Sequence, residues 1–356
     1  MNDILNQFEL QGEVLSVQPY GNGHINDTFL VKTTDVPYIL QKMNESIFPD
    51  TEHLMDNVVK VTTYLRARVK LGGGDPDREA MQVILTKDRK HYWRDETGAC
   101  WRMYRFIDGL ALDAPRTPAD FYESAVAFGR FQSLLADYPA DTLHEIIPNF
   151  HHTGKRFETF CKAVEEDVCG RAASVQQEIA FVMARKADTT LITDRLAAGK
   201  LPLRVTHNDT KLNNVMLDAD TGKGLCVLDL DTVMSGSALY DFGDSIRFGA
   251  NTAAEDETDL SKVSLDLELF EWYVKGYLKG CNGSLTPLEI ELLPVGAKLM
   301  TLECGMRFLT DYLQGDTYFK IHREHHNLDR CRTQLKLVKD MEDKWDEMHR
   351  IVRNCV

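Results

Sequence analysis

The sequence predicts a two-lobed α+β chain, with a small antiparallel-sheet lobe over residues 1–107 and a mainly helical lobe over 108–356. Three observations lead there. Before residue 107 the chain alternates short β-branched and aromatic runs with turn formers. After it, apolar residues recur at helical spacing. A polar loop and one short apolar run, spanning 207–231, interrupt that helical pattern. At 356 residues the chain is long enough to bury a sizeable core in each lobe.

The strand runs lie at 14–18, 29–33, 38–42, 82–86, 91–94 and 100–106, with turns such as Thr34-Asp35-Val36-Pro37 and Asp95-Glu96-Thr97-Gly98 between them. Turns this short favour antiparallel pairing. One helix breaks the series: after Pro49-Asp50, the positions Leu54, Val58, Val61, Leu65 and Val69 share one helical face. Thr117 as N-cap, Pro118 at the first helical position and Asp120 in the first turn open the helical lobe. Within 225–230 a strand is expected, and its period of two places Leu225, Val227, Asp229 and Asp231 on one face. Asp231 is therefore expected in the same cleft as Asp229. The last helix carries Leu328, Cys331, Leu335, Val338, Trp345 and Met348 as an apolar stripe. Such a stripe either packs on its own lobe or forms a seam between copies, so the chain is expected to be a monomer or a weak homodimer.

Composition narrows the function classes. A net charge of −14 argues against a nucleic-acid surface, which needs clustered Lys and Arg. The eight cysteines are scattered without a paired framework, as in reduced, cytoplasmic proteins. The start Met1-Asn2-Asp3-Ile4 lacks a basic region and apolar core, and no apolar stretch approaches a membrane span.

The segment His207-Asn208-Asp209-Thr210-Lys211-Leu212-Asn213-Asn214, followed by Asp229, has the residue types that phosphoryl transfer needs. A hydroxyl acceptor requires a carboxylate to take its proton, a role that suits Asp209. Oxygen ligands must hold Mg²⁺ against the phosphates of ATP, and Asn214 with Asp229 supplies them. Lys211 is spaced to meet the transferring phosphate. The alternative is a turn whose Asn and Asp side chains bond their own backbone. Against it stands the order of loop, apolar strand and second aspartate.

These segments, with Tyr240-Asp241-Phe242-Gly243-Asp244, resemble the aminoglycoside phosphotransferase superfamily, whose fold is bilobal and protein-kinase-like. Within it, Gly21-Asn22-Gly23-His24-Ile25-Asn26-Asp27-Thr28, Tyr38-Ile39-Leu40-Gln41-Lys42 and Tyr318-Phe319-Lys320-Ile321-His322 are similar to the N-acetylhexosamine 1-kinases. That resemblance implies an ATP- and Mg²⁺-dependent kinase acting on a sugar's anomeric hydroxyl, with Asp231, Arg307 and Tyr318 gripping the sugar. It also implies that Asp241 holds the loop in shape. Kinases of other small alcohols, or a catalytically silent nucleotide-binding relative, are the competing readings.

Gly21, Asn22 and Gly23 form a candidate phosphate loop, the alternative being a plain hairpin turn. Where the superfamily places a phosphate-clamping lysine, this chain has Gln41, with Lys42 next to it and facing the other way. Gln41, Lys42 or Lys211 must then cover that role. Tyr104 and Phe106 fall where adenine would lie between the lobes. His322, His325 and His326 have zinc-compatible spacing but no second ligand cluster, and are read as solvated or packed histidines.

Overall fold

The computed structural model describes residues 1–21 and 25–356; Asn22 and Gly23 of the expected phosphate loop lie outside the described residues. Five strands make one antiparallel sheet: β1 (Val14–Pro19), β2 (Asp27–Thr33), β3 (Tyr38–Lys42), β4 (Trp93–Arg94) and β5 (Cys100–Arg105), in the order β1-β2-β3-β5-β4. Alternation assigns the two faces. Tyr38, Leu40, Trp101 and Met103 point to a core closed by Leu5 and Phe8. Ile39 and Tyr104 point the other way, onto helix Thr51–Leu71. That helix buries Leu54, Val58, Val61, Leu65 and Val69 as their spacing predicts, and Asp50 caps it by accepting from the His53 N–H.

Two expected strands are shorter than predicted. Residues 82–86 form single bridges rather than a strand, and only Trp93–Arg94 of 91–94 pairs. The cause is competition for one edge. β4 occupies the Cys100–Trp101 end of β5, while Ile84 N–H and the Gln82 carbonyl bond Met103 and Arg105 at its other end.

The helical lobe opens with Pro118–Leu134, whose N-cap Thr117 matches the sequence reading and closes a capping box with Asp120. It packs on Leu267–Cys281 at very close range, since a Cβ on Gly280 would lie 2.3 Å from the Val126 carbonyl oxygen. Helix Leu293–Leu313 runs through the centre, flanked by Ala238–Gly249 and His326–Asp343. The terminal stripe is divided between two helices, His326–Asp343 and Trp345–Cys355, because Lys344 leaves helical geometry (φ −101°, ψ 15°). Its Nζ there bonds the Leu265 carbonyl and Asp340. Leu328, Cys331, Leu335 and Val338 are buried with Leu302, Met306 and Leu309 of the same chain, so within this chain the stripe already has a packing partner. His326 is buried against Asp256, and His325 meets the Tyr312 hydroxyl. Among the described residues, no helix is long and apolar enough to cross a membrane.

Two short ribbons carry the central segment. β6 (Arg204–Thr206) pairs with β9 (Met234–Gly236), and β7 (Val215–Leu217) with β8 (Gly224–Val227).

Candidate active site

The loop between β6 and β7 is suspended from two aspartates of helix Ala238–Gly249. Asp241 accepts the backbone N–H groups of His207 (2.9 Å) and Asn208 (2.8 Å), and the Gln132 amide (2.9 Å). Asp244 accepts the Thr210 N–H at 3.1 Å and pairs with Arg247 at 2.8 Å. Asn208 takes a left-handed conformation (φ 67°), and its amide bonds the carbonyls of Thr206 and Thr232. The His207 ring packs edge-on to Phe128 and Phe131; Nε2 lies 2.7 Å from the Leu228 carbonyl oxygen, and Nδ1 accepts the Asp209 N–H. The loop's shape is thus fixed by its surroundings, leaving the Asp209 side chain to face outward.

Asp209, Lys211, Asn214 and Asp229 are brought together. Lys211 Nζ lies 2.8 Å from Asp209 Oδ1, and Asn214 Nδ2 donates to the Asp209 carbonyl (2.8 Å) and to Oδ2 (3.2 Å). Burial works to lower the Lys211 pKa, but the Asp209 and Asp244 carboxylates outweigh it and hold the ammonium charged. Asn214 Oδ1 and the Asp229 carboxylate have no hydrogen-bond donor among the described residues, and both residues line the interlobe cavity. A hard dication needs free oxygens of these kinds, so the pair fits Mg²⁺. Enclosure by protein, then Asp231 and Asp209, raises the Asp229 pKa to about 6, although the residue itself is exposed at the cavity.

The cavity, about 260 Å³, is lined by Gly21, Thr28, Gln41, Arg102, Tyr104, Phe106, Met216 and Leu228 as well. Gly21, with φ 75°, and Tyr20, edge-on to Phe106 at 5.8 Å, form its sheet-side rim. Lys42 pairs with Trp101 on the sheet's opposite face and is not among the lining residues.

The geometry of Asp231 departs from expectation. β8 stops at Val227, Asp229 is left-handed (φ 55°, ψ 67°), and Leu230–Thr232 is a 3₁₀ turn. The strand's period of two therefore does not extend beyond Val227. Asp231 is 4% exposed, takes Arg102 Nη1 and Nη2 at 2.5 and 2.9 Å, and accepts the Asn26 amide at 2.9 Å. Its oxygens are engaged in this way, and Asp231 is not among the residues that line the interlobe cavity.

Arg307 and Tyr318 lie together in a separate 120 Å³ cavity with Arg156 and Phe319. The Arg307 guanidinium sits 5.4 to 5.8 Å from the rings of Phe150, Tyr318 and Phe319, with no hydrogen bond or ion pair among the described residues. Among the described residues the Arg156 guanidinium donates only to the Phe150 carbonyl, and burial together with Arg307 lowers its pKa. A chain of contacts links this cavity to the loop: Glu303, one turn before Arg307, holds His151 Nδ1 at 2.8 Å, and His151 Nε2 lies 3.3 Å from the Asn208 carbonyl oxygen.

Sequence reasoning missed Arg102, Asn26 and Arg156. Arg102 left a signal, as the one charged residue inside the apolar run Cys100-Trp101-Arg102-Met103-Tyr104.

Solved structures share this architecture. An aminoglycoside phosphotransferase from Alicyclobacillus acidocaldarius superposes with a TM-score of 0.65 at 10% identity, covering 99% of this chain and 96% of the other. A choline kinase from Cryptosporidium parvum gives 0.57 at 14% identity, covering 95% and 92%. A spectinomycin phosphotransferase, solved with ADP and spectinomycin, gives 0.52 at 11% identity, covering 97% and 94%. At these identities the likeness concerns the fold, which is bilobal and protein-kinase-like. Residues 16–271 match the family model described as the phosphotransferase enzyme family, and the chain belongs to that family.

Proposed function

We propose that this phosphotransferase is a cytoplasmic sugar 1-kinase that moves the γ-phosphoryl group of ATP to the anomeric hydroxyl of an N-acetylhexosamine, N-acetylglucosamine or N-acetylgalactosamine. Residues 1–107 would cover the nucleotide and 108–356 carry the loop and the acceptor wall. Asp209 is the general base, receiving the hydroxyl proton as the oxygen attacks phosphorus. Lys211, whose ammonium lies 2.8 Å from Asp209 Oδ1, offers positive charge to the phosphate oxygens. Asn214 and Asp229 hold Mg²⁺, which when bound neutralises phosphate charge. Tyr104 and Phe106 offer apolar surface to the base, and Gly21 leaves room for close backbone approach to phosphate.

One observation carries the choice of acceptor. The cavity linked to the loop through His151 is lined by Arg156 and Arg307, neither paired with a carboxylate among the described residues, together with Tyr318. Guanidinium donors suit the oxygens of a neutral sugar and repel an ammonium group. This disfavours choline-like and aminoglycoside acceptors. Asp231, tied to Arg102, takes no part in gripping the sugar on this reading, a revision of the role that resemblance implied.

The test is a panel of N-acetylhexosamines, neutral hexoses and cationic amino alcohols, followed by nucleoside diphosphate release. Turnover should be highest with N-acetylhexosamines, and preferred turnover of a cationic alcohol would refute the acceptor assignment.

A further inference from the structure

The lysine absent at position 41 leaves a question of which cation orders the nucleotide side of the cleft. The β2-β3-β5 register answers it geometrically. Thr28 pairs with Gln41, and Gln41 with Arg102, so the three side chains form a row on the face of the sheet that lines the cavity. The row is wired together: Gln41 Nε2 donates to Thr28 Oγ1 at 3.1 Å, and Arg102 Nε donates to Gln41 Oε1 at 3.0 Å. Arg102 then reaches out of the sheet with both terminal nitrogens to Asp231, two residues after Asp229. Asp231 returns the connection to the sheet lobe through Asn26, the residue before β2, whose Oδ1 also accepts the Asn44 N–H at 2.9 Å. Arg102 is only 1% exposed and Asp231 only 4%.

We propose that Arg102 is the positioning residue that replaces the lysine at position 41, and that its bidentate pair with Asp231 is a latch joining the sheet lobe to the metal-site turn. The inference rests on reading the cleft as a nucleotide site. Gln41 is neutral because the guanidinium lies within hydrogen-bond reach of it; an ammonium there would face a cation at that distance. The planar fork of arginine fits a carboxylate in two places at once, which sets orientation as well as distance. Since β8 has ended and Leu230–Thr232 is a 3₁₀ turn, no sheet hydrogen bonds hold this turn against β5. The latch supplies that constraint. It relates Asp229 on one lobe to Thr28 and Gln41 on the other, across the space that the triphosphate occupies on this reading.

Replacing both partners with apolar groups separates positioning from folding, because buried ion pairs exchanged for well-packed apolar pairs commonly preserve stability. Arg102→Met combined with Asp231→Leu should melt close to wild type. On the order of tenfold or more of kcat/KM for the nucleotide should nevertheless be lost, with the KM for the acceptor little changed. The variant Gln41→Lys with Arg102→Met restores a cation one strand away and should recover part of the loss seen in Arg102→Met alone. A folded Arg102→Met/Asp231→Leu protein with wild-type nucleotide kcat/KM would overturn the latch. Binding of a fluorescent MgATP analogue by the wild-type protein is the control: if it binds none, the nucleotide reading and the latch fall together. If it binds and the variant matches it, only the latch falls.

Discussion

Two parts of the site are held by buried aspartates, and they are held differently. Asp241 accepts backbone N–H groups of the 207–214 loop from a helix in the same lobe. Asp231 accepts side-chain donors, Arg102 and Asn26, from the opposite lobe. The first arrangement fixes a loop's shape regardless of which side chains the loop displays. The second fixes how two lobes meet and depends on the identity of every partner. A catalytic loop needs the former, and a cleft that must close on a nucleotide needs the latter.

The largest expected effect lies on the residue that the first arrangement presents. Asp209→Asn should lower kcat by on the order of 10² to 10⁴ while leaving nucleotide affinity nearly unchanged, as general-base contributions do. Steady-state kinetics beside a nucleotide-binding titration would show it, and near wild-type turnover would remove Asp209 from the chemistry. Loss of Asp241 should act on folding first. Asp241→Ala leaves the His207 and Asn208 N–H groups buried without a partner, costing on the order of 3 kcal/mol in chemical denaturation. A loss well below that would mean that water replaces the carboxylate and that the loop is anchored elsewhere.

The smallest effect is a dependence on pH. Asp229, raised to about 6, is protonated below that pH and ionised above it, so Mg²⁺ affinity should be steady above about 7 and fall as pH drops through 6. The fall should approach about tenfold per pH unit, since the ion competes with one proton. Mg²⁺ titrations of activity at several pH values measure this. Asp229→Asn should flatten the profile, and an unchanged slope would assign the titration to another group.

Much of the first arrangement was legible in the sequence because its parts are close along the chain and chemically distinctive. His207 to Asn214, Asp229 and Asp241 stand in the order that the chemistry requires, and the structure brings Asp209, Lys211, Asn214 and Asp229 together. The helix after Asp50 and the N-cap at Thr117 were readable for a similar reason, since their signals lie within a few turns. The second arrangement was not. Arg102 and Asp231 are 129 residues apart, and nothing local announces that they meet. The alternation that placed Asp231 in the cleft assumed a strand running through Asp229, but β8 stops at Val227 and Asp229 is left-handed. Edge competition likewise shortened the segments at 82–86 and 91–94, because hydrogen-bond partners on β5 are finite and their allocation is a tertiary outcome.

The position of the transferred phosphate tests the proposed sugar 1-kinase reaction most directly. After incubation with Mg²⁺, ATP and N-acetylglucosamine, phosphorus NMR of the product should show a single ester coupled to the anomeric proton of the sugar. A phosphate on the 6-hydroxyl, or no sugar phosphate while a cationic amino alcohol is turned over, would contradict it.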